Sequence, residues 1–212
     1  MKFDMNKPLP PHTKLDYYEC LAKLVLESAF PNRYNNLQVI DKPDLQGNVG
    51  IEVTQADSAK DLEIESNMVK ASYCENEEEK KRYMERMSQL GVPYTEPVQI
   101  WPGYIPSFDE TRKATIRKVN RLKQGGYKYF PTYELFIITN MWFNEKVVND
   151  ATDFFFSQNG AEGYETVYVL SQGNFLHVFE IESKKHFMET VTQQFALAEK
   201  AREMVEEAEE MD

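Results

Sequence analysis

Lys42-Pro43-Asp44-Leu45-Gln46-Gly47-Asn48-Val49-Gly50-Ile51-Glu52-Val53-Thr54 is the stretch on which the fold turns. Its flanks, Leu37 to Leu45 and Val49 to Gln55, are short and rich in branched residues. Gly47 and Asn48 between them are expected to supply the positive φ angles of a tight β-hairpin. Ile51, Val53 and Ala56 read as core positions, so strand alternation sends Glu52 and Thr54 to the opposite face. Asp44 lies on the partner strand, and its relation to Glu52 depends on the loop. A two-residue turn at Gly47-Asn48 pairs Asp44 with Ile51, whereas a three-residue loop, 47–49, pairs Asp44 with Glu52 and brings both carboxylates to one face.

Two carboxylates a few ångström apart repel each other unless one is protonated or a cation lies between them. With oxygen ligands and no cysteine or histidine nearby, the expected cation is Mg²⁺ or Mn²⁺. The alternative is that Asp44 belongs to a solvated turn and Glu52 faces water.

Upstream, Leu15, Tyr18, Leu21, Ala22, Val25 and Ala29 recur at helical steps between Pro11 and Pro31, which predicts an amphipathic helix over Thr13 to Ala29. Downstream, residues 57–90 predict two helices broken near Cys74 to Asn76, and Pro93, Pro97, Pro102 and Pro106 mark an extended loop. A helix is expected from Asp109, as N-cap, to Gln124, where Gly125 and Gly126 stop it. Tyr133 to Thr139 is a nearly continuous apolar run, the pattern of a central strand buried on both faces. A helix from Glu145 to Ser157, strands at Thr166 to Ser171 and Phe175 to Ile181 turning at Gly173-Asn174, and a terminal helix over 184–212 complete the order. The expectation is one α/β domain spanning 1–212, with 57–108 as a helical and loop insertion.

Lys42-Pro43-Asp44 followed by Gly50-Ile51-Glu52-Val53-Thr54, behind a helix that carries Glu19, resembles the core of the PD-(D/E)XK, or restriction-endonuclease-like, superfamily. It is similar to members with a Glu-Val-Thr variant of the motif. The likeness covers roughly 13–56 and 109–140, and implies an α-β-β-β-α-β mixed sheet and a nuclease that hydrolyses phosphodiester bonds with Mg²⁺ or Mn²⁺. In such enzymes Asp44, Glu52 and the carbonyl of Val53 would hold the metal, which polarises the scissile phosphate and lowers the pKa of a bound water.

The pattern fails at position 54, where Thr54 stands in place of the motif lysine. Relatives move that lysine to the following helix. Ile116, Val119 and Leu122 are expected to face the core there, and Lys118, one position from that stripe, is the first candidate, with Lys123 second. Solvated basic residues are the alternative for each. Glu19, beside the apolar stripe of the first helix, is either a further acid at the metal or an ordinary surface glutamate.

The chain carries 24 Lys+Arg and 35 Asp+Glu, a net charge of −11, which excludes a broad electrostatic grip on nucleic acid. Contact with DNA, the expected partner, must be local, and Arg112, Lys113, Arg117, Lys118, Arg121, Lys123 and Lys128 form the one strongly basic segment. Cys20 and Cys74 read as reduced thiols, and no run approaches a membrane span, which leads to a cytoplasmic expectation without membrane partners. The three histidines show no metal-ligand spacing. Two other readings stand beside the nuclease: a catalytically degenerate relative that binds nucleic acid or a protein, suggested by Thr54 and the charge, and a helix-mediated assembly using Lys184 to Met211. Homodimer formation is open.

Overall fold

Seven strands form one mixed sheet, β1 (Gln38–Val39), β2 (Leu45–Gln46), β3 (Gly50–Gln55), β4 (Tyr133–Ile138), β5 (Thr166–Ser171), β6 (Phe175–Glu180) and β7 (Lys185–Thr190), lying side by side in sequence order. They belong to a computed structural model that describes residues 9–10, 12–92 and 107–210. Six helices accompany the sheet among the described residues: α1 (Tyr17–Ala29), α2 (Ala59–Tyr73), α3 (Glu77–Gln89), α4 (Asp109–Gln124), α5 (Glu145–Phe155) and α6 (Gln194–Glu210). The fold is α/β. None of these helices is long and apolar enough to cross a membrane.

The chain divides into two compact units, one of Met1–Ala56 with Ser107–Asp212 and the other of Asp57–Pro106, the second close in extent to the expected insertion at 57–108. In the smaller unit α2 and α3 pack together. Ser58 caps the first through the Asp61 amide, Asn76 caps the second, and Arg86 joins α3 to Glu63 of α2 at 2.6 Å. The proline-punctuated loop expected at Pro93 to Pro106 lies outside the described residues.

In the larger unit β3, β4 and β5 run parallel, and the pairs on either side are antiparallel. Parallel strands need covering on both faces. Leu45, Ile51, Val53, Phe136 and Tyr168 bury one face with α1 and α6, while Ala56, Leu135, Ile137, Val167 and Val169 bury the other with α4 and α5. The apolar run at Tyr133 to Thr139 is the central strand for this reason.

Four sequence expectations are corrected. Leu37 to Leu45 is not one strand: it breaks into β1 and β2 around a turn at 40–44 with Lys42 at φ 57° and a cis Lys42-Pro43 bond. Gly47 and Asn48 are not in the left-handed region, and a Cβ at position 47 would stand 3.0 Å from Leu37 Cδ2, a contact that a small shift of that side chain relieves. Asp109 is the first helical residue of α4 instead of its N-cap, which is Phe108. The expected helix over 184–212 begins only at Gln194, since Lys185–Thr190 pairs with β6 as a strand, its alternate residues facing opposite sides of the sheet.

Candidate functional site

β2 is too short to accompany β3 along its length. Only Leu45 and Gln46 pair with it, opposite Ile51 and Gly50, so the connecting loop is the three residues 47–49. That register carries Asp44 opposite Glu52. Beyond Ile51 the β2 side of β3 lacks a ladder partner, and the Val53 amide donates instead to Asp44 Oδ2 at 2.7 Å. The N–H and C=O of one strand residue point to the same side, so the Val53 carbonyl also leans toward Asp44. A fork therefore opens between the two strands.

The turn that carries Asp44 is held from below. Gln46 Nε2 donates to the carbonyls of Asp41 and Pro43, each at 3.4 Å. Gly50 admits the Pro43 ring, because a Cβ at that position would meet Pro43 Cγ at 2.8 Å and Phe130 at 2.9 Å.

Lys118 closes the fork from α4. Its ammonium donates to Glu52 Oε2 at 2.7 Å and to Asp44 Oδ2 at 3.0 Å. The expectation that Ile116 faces the core with Val119 is corrected: Ile116 is 43% exposed, and the inward stripe is Thr111, Ala114, Thr115, Lys118 and Val119. Small residues let α4 lie close to the sheet, and Thr115 settles its hydroxyl on the Thr111 carbonyl at 2.8 Å. Lys118 thus belongs to the buried stripe.

Burial is the largest influence on Glu52, which is 1% exposed, and it raises the carboxyl above its usual range; Lys118 pulls the other way and Asp44 adds to the rise. Two acids this close require a cation, and the cation between them here is the Lys118 ammonium. Glu19 on α1 is raised to about 8, first by burial and then by the charge of Asp44, with Lys118 opposing.

Lys123 is not brought to the fork: it pairs with Glu162 at 2.6 Å on the surface. Thr54 donates only to the neighbouring Gln55 carbonyl, at 3.3 Å. Of the basic segment, Lys113 pairs with Glu110, Arg112 lies over Phe108 and Phe154, and Lys128 reaches Gln46. Arg117 and Arg121 are exposed with no carboxylate in ion-pair range among the described residues.

Two tyrosines join the site that sequence reasoning did not place there. Glu52 Oε1 and the hydroxyls of Tyr127 and Tyr164 are all buried; Tyr127 is close enough to act on the Glu52 carboxylate as a hydrogen-bond donor, and the Tyr164 hydroxyl has no partner among the described residues. Burial comes first among the causes that raise both phenols, and Glu52 is the next contributor to each, pushing Tyr127 up to about 12. A buried polar atom left without a partner costs about 1–3 kcal/mol, and the Tyr164 hydroxyl carries that cost beside Glu52. Tyr164 sits in a loop far along the chain, and nothing in its local sequence signals this.

No group of three or more His, Cys, Asp or Glu side chains among the described residues is arranged to hold a metal ion. The donors at the fork are Glu52 Oε1, the second oxygen of Asp44 and the Val53 carbonyl. They are all hard oxygen ligands, and their chemistry suits Mg²⁺ or Mn²⁺, which accept few protein ligands and keep several waters. The thiols take no part: both cysteines are free, and burial pushes Cys20 up to about 11.

No family model matches the chain, and no curated protein or solved structure shows a significant match to it.

Proposed function

We propose that this chain is a metal-dependent nuclease that hydrolyses phosphodiester bonds in DNA at the β2–β3 fork, in the manner of the PD-(D/E)XK enzymes. One observation carries the reading: Lys118 of α4 reaches both motif acids, supplying the charge that Thr54 cannot. The element order α1-β1-β2-β3, then α4-β4, supports it, since α-β-β-β-α-β is the expected core.

Asp44, Glu52 and the Val53 carbonyl are the residues that would hold the ion. A divalent metal bound there supplies Lewis-acid polarisation of a phosphate oxygen and a water acidic enough to attack at neutral pH. Lys118 carries three N–H donors on a point charge and uses two on the acids. Its third N–H would donate to a phosphate oxygen or the attacking water and stabilise the negative charge that grows there. Glu19, whose carboxyl burial and the charge of Asp44 raise to about 8, would be a further acid at the metal. Arg117 and Arg121 extend the positive surface of α4 and would hold the flanking phosphates, the local contact that an acidic chain requires.

Purified protein with Mn²⁺ should nick supercoiled DNA, and Glu52→Gln and Lys118→Met should each abolish nicking. Cleavage that survives Glu52→Gln overturns the reading. The second reading, a degenerate DNA-binding relative, is favoured by the closure of the acid pair on Lys118, which already neutralises it without metal. Calorimetry separates them: the nuclease binds Mn²⁺ through Asp44 and Glu52, and the binding module does not.

A further inference from the structure

β7 is the outermost strand of the sheet, and no strand lies beyond it among the described residues. An open edge of this length is a template for another strand unless something blunts it. β1, at the other edge, has two residues; β7 has six.

The direction of its backbone groups follows from two bonds. The Val191 amide reaches the Asn174 carbonyl on the β6 side, at 2.8 Å, and the antiparallel register pairs Phe187 with Val178. Alternation then turns the backbone groups of Lys185, Phe187 and Glu189 inward to β6, and those of His186, Met188 and Thr190 outward. Side chains alternate as well. Phe187 packs on the core shared by α1 and α6, so Lys185 and Glu189 share its face, while Met188, 50% exposed, lies on the other.

Lys185 and Glu189 have no ion pair among the described residues; the ammonium of Lys185 rests over the Phe187 ring at 5.1 Å. They flank Phe187 symmetrically, and that symmetry identifies the occupant. An antiparallel copy of β7 centred on Phe187 places Lys185 opposite Glu189 twice, His186 opposite Met188 twice, and Phe187 opposite itself. The same register makes His186 and Met188 the hydrogen-bonded pair, as the outward backbone groups require. Charge, face and hydrogen-bond parity agree in one arrangement.

We infer that β7 is a self-complementary edge through which two copies of this chain form a twofold dimer, joining their sheets by antiparallel pairing about Phe187. The interface is isologous, as closed twofold symmetry demands. It does not involve the fork, so it stands or falls apart from the nuclease reading.

Sedimentation velocity on the full chain tests it. The wild-type chain should dimerise reversibly. Lys185→Glu puts two like-charge pairs across the axis and should weaken the dimer about tenfold or more, and adding Glu189→Lys should restore it. Met188→Pro should give a folded monomer, because position 188 donates nothing to β6. Circular dichroism and thermal unfolding of each variant confirm that the fold is intact. A wild-type chain that is monomeric at its highest soluble concentration, or a dimer indifferent to both Lys185→Glu and Met188→Pro, overturns the inference.

Discussion

Lys118 Nζ lies 2.7 Å from Glu52 Oε2, a lysine 12% exposed against a carboxylate 1% exposed. At this depth the pair is an electrostatic unit: truncating one partner leaves the other charged and desolvated. Lys118→Met should therefore destabilise the metal-free protein by about 3 kcal/mol at neutral pH. The loss should shrink on acidification, as Glu52, already raised by burial, takes up a proton. Glu52→Gln should lessen it in the double variant. Urea unfolding of the four proteins of this cycle at two pH values measures the coupling, and additive losses would mean the two side chains do not depend on each other.

Glu19 gives the pH dependence a sign. Its folded-state pKa of about 8 stands above the ordinary value of 4.5, so between these limits the folded chain holds a proton that the unfolded chain has released. Stability then falls as pH rises through this window, the reverse of a salt-bridged carboxylate. Glu19→Gln should remove that slope and leave a protein relatively more stable than the wild type at pH 8 to 9. Thermal melts from pH 5 to 9 in chelator check it, and parallel profiles for variant and wild type would refute it.

Gly50 ties packing to the site. A methyl group there must displace Pro43 Cγ at 2.8 Å and Phe130 Cδ2 at 2.9 Å, with Tyr133 at 3.1 Å behind them. Overpacking of this kind costs about 1–3 kcal/mol. Pro43 precedes Asp44 directly, so Gly50→Ala should also shift the carboxylate away from Lys118. Nicking with Mn²⁺ should drop more than the folded fraction explains, and a drop that matches the folded fraction would restrict the effect to stability.

What the sequence disclosed and what it withheld divide along physical lines. The central strand, the two-helix segment and the β5–β6 turn were legible because each rests on local pattern: an apolar run, helical spacing, and Gly173-Asn174, both with positive φ. The choice of Lys118 over Lys123 was legible from helix phase, although the stripe that defines that phase was misjudged. Thr111, Ala114 and Thr115 are small enough to bring α4 against the sheet, and hydropathy alone favours Ile116 over them. β7 was hidden because four of its six residues are polar and none is buried, as in an edge strand. Tyr164 and the stacked pair His177–His186, with Nδ1 and Nε2 3.2 Å apart, depend on tertiary proximity.

The sheet holds a second buried acid, which distinguishes scaffold from chemistry. Glu134 is fully buried in β4 and receives the Arg33 guanidinium and, at 2.5 Å, the Tyr34 hydroxyl, which also meets the Tyr168 hydroxyl at 2.6 Å. Burial dominates in raising its carboxyl, and Arg33 is the strongest opposing influence. Here the phenol partners are engaged, whereas at the fork the Tyr164 hydroxyl has no partner among the described residues. A fully satisfied buried network stabilises, and a partly satisfied one costs stability. Glu134→Ala should cost about 3–5 kcal/mol and lower the melting temperature by roughly 10 °C. Mn²⁺ affinity of the folded fraction should remain unchanged. Tyr164→Phe should do the opposite, leaving the metal-free protein as stable or up to about 1 kcal/mol more so, because it deletes a buried hydroxyl that has no partner. Melting curves with and without Mn²⁺ test both variants. A Tyr164→Phe protein that is markedly less stable without metal would show that the hydroxyl is already bonded, and would withdraw it from the site.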